Sequence, residues 1–298
     1  MDIVINLDKP KGITSHQAVQ RVRKIVKIKK AGHAGTLDPA ATGVLLVCTG
    51  EATKITRFLS DLDKEYVAVV KLGEKTDTYD SDGNVTEKTE DFSLDRKDIE
   101  QVLPIFTGVI EQTPPMYSAI KMSGKPLYTL ARKGVTVERP KRTVVIREIK
   151  LTGFDLPFFE LRVSCSKGTY IRSLCNDIGE TLGVGAHITD LRRTQIGDFR
   201  VEDSLTPDQL EYFFAGPEPA TGCRPGMSDI DNALRHLREL ALTGSDFKRA
   251  SDGLPLRFHG DSFSSDECLR LKDPSGKLFA IGKSVKGIIR VERILHLR

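Results

Sequence analysis

The segment Gly32–Leu45 reads "GHAGTLDPAATGVL" and sets a single carboxylate, Asp38, in a loop-forming context just ahead of an apolar run. Pro39 steers Asp38 away from helical geometry. Gly35 and Gly43, on either side, permit close backbone approach. The run Val44–Cys48 that follows suits a short buried strand. This is a loop able to present a carboxylate to something large, although an Asp-Pro pair is also an ordinary turn starter or helix cap. Three chemistries do not fit. A phosphate cradle needs a Lys-Ser/Thr after its glycines, and none follows Gly43. A metal site needs several ligands, and only His33 is near. A glycosidase needs a second positioned carboxylate, which the neighbourhood does not offer. A lone nucleophile or base remains, and away from water it needs a cation to stay ionised.

Working outward, "DIVINLDKPKG" reads as a strand entering a Pro/Gly turn, and Thr14–Val26 as a helix opened by a Thr14/Gln17 capping box. "EATKITRFLSDL" suits a helix, and "EYVAVVKLG" an alternating strand. Asp77–Gly83 is a turn-rich acidic loop. Ser93 is expected to cap a helix reaching Phe106. "FELRVSCSKG" predicts a strand, and "TYIRSLCNDIGETLG" a helix capped by Thr169 and ended by Gly183. Thr206-Pro207 opens a helix to about Phe214. Strands and helices mix without a βαβ repeat, which predicts an α+β fold with a mostly antiparallel sheet. Residues 1–214 form the expected main domain and 215–226, "AGPEPATGCRPG", a linker. Residues 227–298 form a small β-rich domain, with Met227–Leu237 read as helical.

The 298-residue chain is 39% hydrophobic and 29% charged, with mean hydropathy −0.25. Its five cysteines (Cys48, Cys165, Cys175, Cys223, Cys268) form an odd set without C-x-x-C spacing. That argues against a zinc site or disulfide framework and suits a reducing cytoplasm. The N-terminus shows no secretory signal. Charge is unevenly spread. Six Lys/Arg and no acid lie between Thr14 and Leu37, and eight Lys/Arg with one acid between Tyr117 and Arg147. Ten acids crowd Glu74–Glu100. Such polarity suits a polyanion on one face.

"GHAGTLDPAATGVL" followed by "GEATK", with "DKEYVAVVKLG" and "KGTYIRSLCNDIGETLG" downstream, closely resembles the bacterial tRNA pseudouridine-55 synthases of the TruB family. "LDKPKGITS", "TPPMYSAIKMSGKPLY" and "LRRTQIG" extend the resemblance collinearly over about Ile5–Phe199. Each piece alone is unspecific, and their order and spacing are what carry the match. The resemblance implies the pseudouridine synthase fold, a mixed, mostly antiparallel sheet flanked by helices, and by position a C-terminal PUA-like domain. It implies isomerisation of a T-loop uridine in tRNA without cofactor or metal, by a monomer with no obligate protein partner and no membrane.

Carried over by the resemblance, Asp38 is the essential carboxylate, attacking the sugar carbon or abstracting a sugar proton. Arg172 pairs with it, and Tyr66 stacks on the uracil and helps move its ring proton. Tyr170 is a second aromatic near the base, His33 fills the space the base vacates, and Lys9 supports the loop or a phosphate. An insert at about 117–147 grips the T-arm, with Lys121, Lys125, Arg132, Lys133, Lys141 and Arg142 near phosphates. The C-terminal domain reaches toward the acceptor stem. A base folded into the T-loop must be flipped out to be reached, at a cost of a few kcal/mol. Two alternatives stand beside this: a non-catalytic RNA-binding or RNA-folding protein on the same scaffold, and a synthase for another RNA. Retention of Asp38, Tyr66 and Arg172 favours an enzyme over the first. "GHAGTLDP", and the lack of long Lys-rich tails, favour the stand-alone bacterial type over the second.

Overall fold

A computed structural model describes residues 1–118, 121–122, 125–131, 134–135, 137–216, 225–257 and 263–296. Ten strands of these residues form one sheet. In order across it run Met227–Asp229, Ile3–Lys9, Thr42–Thr49, Ala186–Ile196, Lys64–Leu72, Phe158–Cys165, Arg142–Asp155 and Gly108–Gln112. Ala31–Ala34 adds to Thr42–Thr49, and Phe199–Arg200 to Ala186–Ile196. Its pairings are antiparallel except where Arg192 and Arg193 lie parallel to Thr42 and Gly43. Gly43 makes this crossing possible. With φ at +99°, a Cβ there would sit 2.1 Å from the Arg193 carbonyl oxygen.

The Lys64–Leu72 strand alternates strictly, burying Lys64, Tyr66, Ala68, Val70 and Leu72. Ala68 and Val70 pack with Leu161 and Val163 of the neighbouring strand and with Leu174 and Ile178 of the helix Ile171–Thr181. Burying a side chain of that size contributes about 1.5–3 kcal/mol. The strand is thus fixed in register, and Tyr66 and Lys64 are committed to the same face. The helix Ser15–Val26 opens on the expected capping box, Gln17 N donating to Thr14 Oγ1 at 3.1 Å and Thr14 N to Gln17 Oε1 at 2.7 Å. It buries Ala18, Val19 and Val22 against Leu45 and Val47.

Several local expectations are corrected. Asp95, not Ser93, caps the helix Arg96–Val102, because Asp98 at its third position completes the capping box. Tyr170, not Thr169, precedes the helix Ile171–Thr181, and its cap comes from a distant strand. Tyr170 N donates to Gln112 Oε1 at 2.7 Å, and Gln112 Nε2 donates to the Tyr170 carbonyl at 2.9 Å. The Thr169 hydroxyl instead donates to the Ser166 carbonyl. Residues 50–60 begin as a 3-10 helix and turn α-helical only at Thr56.

The boundary at Met227 also moves. Met227–Asp229 is a strand paired with Ile3–Ile5, followed by a single helical turn, Ile230–Ala233. Ile230, Ala233 and Leu234 enter one core with Val4, Val44, Leu46 and Leu59. The separate five-stranded sheet begins only at Arg238. Even this sheet is docked, since Leu278, Ile281 and Leu295 complete the same core. Arg57 pairs with Glu292 at 2.7 Å across the junction. The rest of the expected linker, 217–224, with Cys223, lies outside the described residues, as do Arg132 and Lys133. No helix of the described residues is long and apolar enough to cross a membrane.

Candidate active site

The loop carrying Asp38 is staked from three sides. Ser15, the first residue of its helix, accepts from Leu37 N at 2.8 Å and donates to the Leu37 carbonyl at 2.9 Å. The buried Lys9 ammonium donates to the carbonyls of Pro10, Ile13 and Pro39 at 2.9, 2.8 and 3.3 Å. Arg193, only 1% exposed, donates from Nε to the Val44 carbonyl at 2.7 Å and from Nη2 to the Gly35 carbonyl at 3.1 Å. These contacts use side chains from three separate segments to hold a turn that has no regular structure of its own. The Asp38 carbonyl accepts Ala41 N at 3.1 Å, so its backbone starts the turn that the Asp-Pro pair suggested, while its carboxylate accepts no backbone N–H among the described residues.

Asp38 faces Arg172. Arg172 Nε lies 3.0 Å from Asp38 Oδ2, and its Nη1 lies 2.9 Å from Asp80 Oδ2. Nη1 also donates to the Thr78 carbonyl at 3.0 Å, and Nη2 to the Tyr117 carbonyl at 2.8 Å. This arginine is 6% exposed, so it is not a surface residue of its helix. Its planar fork holds two carboxylates and two carbonyls at once, which an ammonium cannot do. The Asp38 side chain keeps 43% of its surface open. It stands at the wall of a cavity of about 440 Å³, which Tyr66, Tyr170, Arg172, Lys64, Arg193 and Arg142 also line. The carboxylate is therefore recessed among protein atoms yet open to whatever enters.

Burial pushes the Asp38 carboxyl above its ordinary value, while Arg172 pulls it down and Asp80 opposes Arg172. Arg172 thus favours the ionised form of Asp38 against the desolvation that raises it. Tyr66 is buried except where it lines the cavity, and burial raises its phenol against the pull of Arg193. A phenol raised above an ordinary value near 10 is neutral, which favours stacking over proton abstraction. Burial likewise raises Tyr170. The Lys9 ammonium falls to about 8 through burial, opposed by Asp38.

The expected residues divide accordingly. Asp38, Tyr66, Arg172 and Tyr170 meet at the cavity, and the exposed Arg142 lies at its rim next to exposed Lys141. Lys9 is wholly buried, and its ammonium donates to three carbonyls, one of them that of Pro39 in the Asp38 loop. His33 sits in the strand Ala31–Ala34 opposite Val47 and is not in the cavity wall. Burial and Arg193 lower its imidazole, leaving it neutral, and its buried Nδ1 has no partner among the described residues. Lys121 and Lys125 fall in a two-stranded ribbon, Lys121 opposite Pro126 and Met122 opposite Lys125. Sequence reading missed Asp80, taken only as part of an acidic loop, and also Lys64 and Arg193. For Lys64 a signal existed: it shares the inward phase of the alternation Lys64, Tyr66, Ala68. Among the described residues no group of three or more His, Cys, Asp or Glu is placed to hold a metal ion.

The N-terminal family model of TruB pseudouridylate synthases matches residues 23–171, and the model of the tRNA pseudouridylate synthase B C-terminal domain matches 172–235. The chain belongs to the TruB family of pseudouridylate synthases. The two matches meet inside the helix that carries Arg172. Among family members, the tRNA pseudouridine synthase B of Pseudomonas aeruginosa is 44% identical over 94% of this chain and 91% of its own. That of Pasteurella multocida is 41% identical over 99% and 95%. Among solved structures, one of an H/ACA RNP bound to a substrate RNA containing 2′-deoxyuridine superposes with TM-score 0.77 at 28% identity, covering 99% of this chain and 86% of that one. A Cbf5-Nop10-Gar1 complex matches at 0.77 and 29%, over 98% and 84%.

Proposed function

We propose that this chain is a tRNA pseudouridine synthase that isomerises a T-loop uridine, position 55, after flipping it into the cavity beside Asp38. The observation that carries the reading is the Asp38–Arg172 pair, 3.0 Å apart and recessed in a cavity of a size that admits a nucleoside. A binding protein has no use for a recessed carboxylate paired with a buried arginine and open to a cavity, and this favours catalysis over RNA binding alone. Asp38 acts on the sugar, as nucleophile or as base, when the uracil leaves. Tyr66 and Tyr170 offer the flipped base aromatic faces, offsetting the few kcal/mol that extraction costs. Lys141 and Arg142 sit where phosphates of the T-arm would pass, and recognition is mainly of RNA shape. The five-stranded C-terminal sheet, in the place of a PUA-like domain, extends the contact toward the acceptor stem. The chain works as a monomer in the cytoplasm without an obligate partner. The match over nearly the whole length of the two bacterial relatives above, both named tRNA pseudouridine synthase B, supports tRNA as the substrate.

The test is incubation of purified protein with unmodified tRNA transcript, followed by chemical mapping of pseudouridine. Conversion at the T-loop position is expected, and none with Asp38→Asn at unchanged RNA affinity. Conversion by the Asn variant in a single turnover would remove Asp38 from the chemistry.

A further inference from the structure

The cavity is electrically lopsided. On one side Arg172 is matched by two carboxylates, Asp38 and Asp80. On the other, Lys64 and Arg193 are both buried, and among the described residues neither has a carboxylate within ion-pairing distance. The nearby acids are taken, Asp61 by Lys167 at 2.7 Å and Asp63 by Arg147 at 3.1 Å. Lys64 is held by the Ser60 and Leu62 carbonyls, and Arg193 by those of Val44 and Gly35. The two cations converge. A methyl group built on Gly35 would lie 3.6 Å from Arg193 Nη1 and 4.0 Å from Lys64 Cε. Tyr66 stands directly across the strand pair from Arg193, whose guanidinium carbon lies 6.0 Å from the ring centre. Carbonyls satisfy their protons, but no described carboxylate balances the two charges, so an anion arriving between them would be stabilised.

We propose that Lys64 and Arg193 form the anion-stabilising wall of the site, holding the negative charge that the uracil acquires when its bond to the ribose breaks. The inference rests on the functional reading above and assigns two residues to it. The bond between ribose C1′ and uracil N1 breaks with its electron pair leaving on the ring, spread over N1, O2 and O4. The pair returns when C5 bonds to C1′; the C5 proton is then lost and N1 gains one. Between those events the sugar carbon is electron-poor and the base electron-rich. The cavity matches that separation, with carboxylates on the Asp38 side and cations on the Tyr66 side. Fixed charges in a water-poor site stabilise such a state without reorganising. Tyr66 stacked on the base would place the uracil over the cations.

The experiment compares Lys64→Met and Lys64→Arg with wild type, using T-loop RNA that carries either uridine or 5-fluorouridine at the target. Fluorine at C5 stabilises the uracil anion by itself, and loss of the N-linked nucleoside can be followed without departure of a C5 proton. Lys64→Met is expected to slow the single-turnover reaction of uridine RNA on the order of tenfold to a hundredfold. RNA affinity should stay level, the loss should shrink several-fold with 5-fluorouridine, and Lys64→Arg should restore the rate. Equal losses on both RNAs, or no loss, would overturn the inference. Wild-type protein gives a second measurement that depends on no variant's folding. Burial, with Arg193, lowers the Lys64 ammonium to about 8, so the chemical step should weaken as pH rises through that value. Of the groups around it, Cys165 opposite it is pushed up to about 11 and stays neutral, Arg193 is held by the Val44 and Gly35 carbonyls, and Asp61 and Asp63 are already paired. Lys9, also at about 8, is a second ammonium close to Asp38. A decline present in wild type and absent from Lys64→Arg supports the assignment. A decline that persists in Lys64→Arg does not come from Lys64 and overturns it. Wild-type protein that makes no pseudouridine would overturn the functional reading itself, and this inference with it.

Discussion

Arg172→Lys keeps a positive charge and removes the fork. The guanidinium reaches Asp38 at 3.0 Å, Asp80 at 2.9 Å and the carbonyls of Thr78 and Tyr117 at 3.0 and 2.8 Å. A lysine ammonium on a longer tether cannot span the first two together, and Asp80, the more buried carboxylate, competes for it. A charge-assisted hydrogen bond contributes about 1.5–3 kcal/mol. Losing about 2 kcal/mol of it at Asp38 is worth about 1.5 pKa units at 1.36 kcal/mol per unit. The Asp38 carboxyl already stands above its ordinary value because of burial, and the variant lifts it further. Activity requires the ionised form, present above the folded-state value and lost as pH falls through it. The acid limb of the rate profile should therefore move up by about 1.5 units, with the rate on that limb falling about 30-fold. Rapid-quench single-turnover assays on saturating T-loop RNA across mildly acidic to neutral pH measure both. A merely structural role would lower the melting temperature and leave the acid limb in place. A profile superimposable on wild type would refute the argument that Arg172 controls the charge of Asp38.

Other perturbations test the scaffold and the RNA surface. Gly43→Ala forces a Cβ to within 2.1 Å of the Arg193 carbonyl at a φ of +99° and should cost on the order of 3 kcal/mol in urea denaturation; an unchanged midpoint would deny that close crossing. Deletion from Met227 onward strips the strand from Ile3–Ile5 and uncovers the core around Ile230 and Leu234, so loss of a cooperative melt is expected; a catalytic fragment that melts like the full chain would show the tail to be independent. Lys141→Gln with Arg142→Gln should reduce the slope of log affinity against log salt by somewhat under one per lost phosphate contact while leaving the chemical step near wild type; an unaltered slope would take both residues off the RNA.

The sequence by itself determined what depends on neighbours along the chain. The capping box at Thr14 and Gln17, the alternation from Lys64 to Leu72 and the loop around Asp38 are all local, and each held because hydrogen bonding and side-chain phase act over a few residues. The family pattern then attached roles to Asp38, Tyr66 and Arg172. Asp80 could not be singled out among the ten acids of its stretch, because only the folded chain brings it to the Arg172 guanidinium 92 residues away. Lys9 was expected to support the loop or a phosphate, and the three carbonyls that enclose it are assembled only by the folded chain. Met227–Asp229 looked helical because a strand of three residues carries almost no periodic signal; the unpaired edge of Ile3–Ile5 made it a strand. Arg193 is the sharpest case. Its side chain is buried by the crossing of two strands far apart in sequence, and whether a cation there is exposed or enclosed is a property of that packing alone.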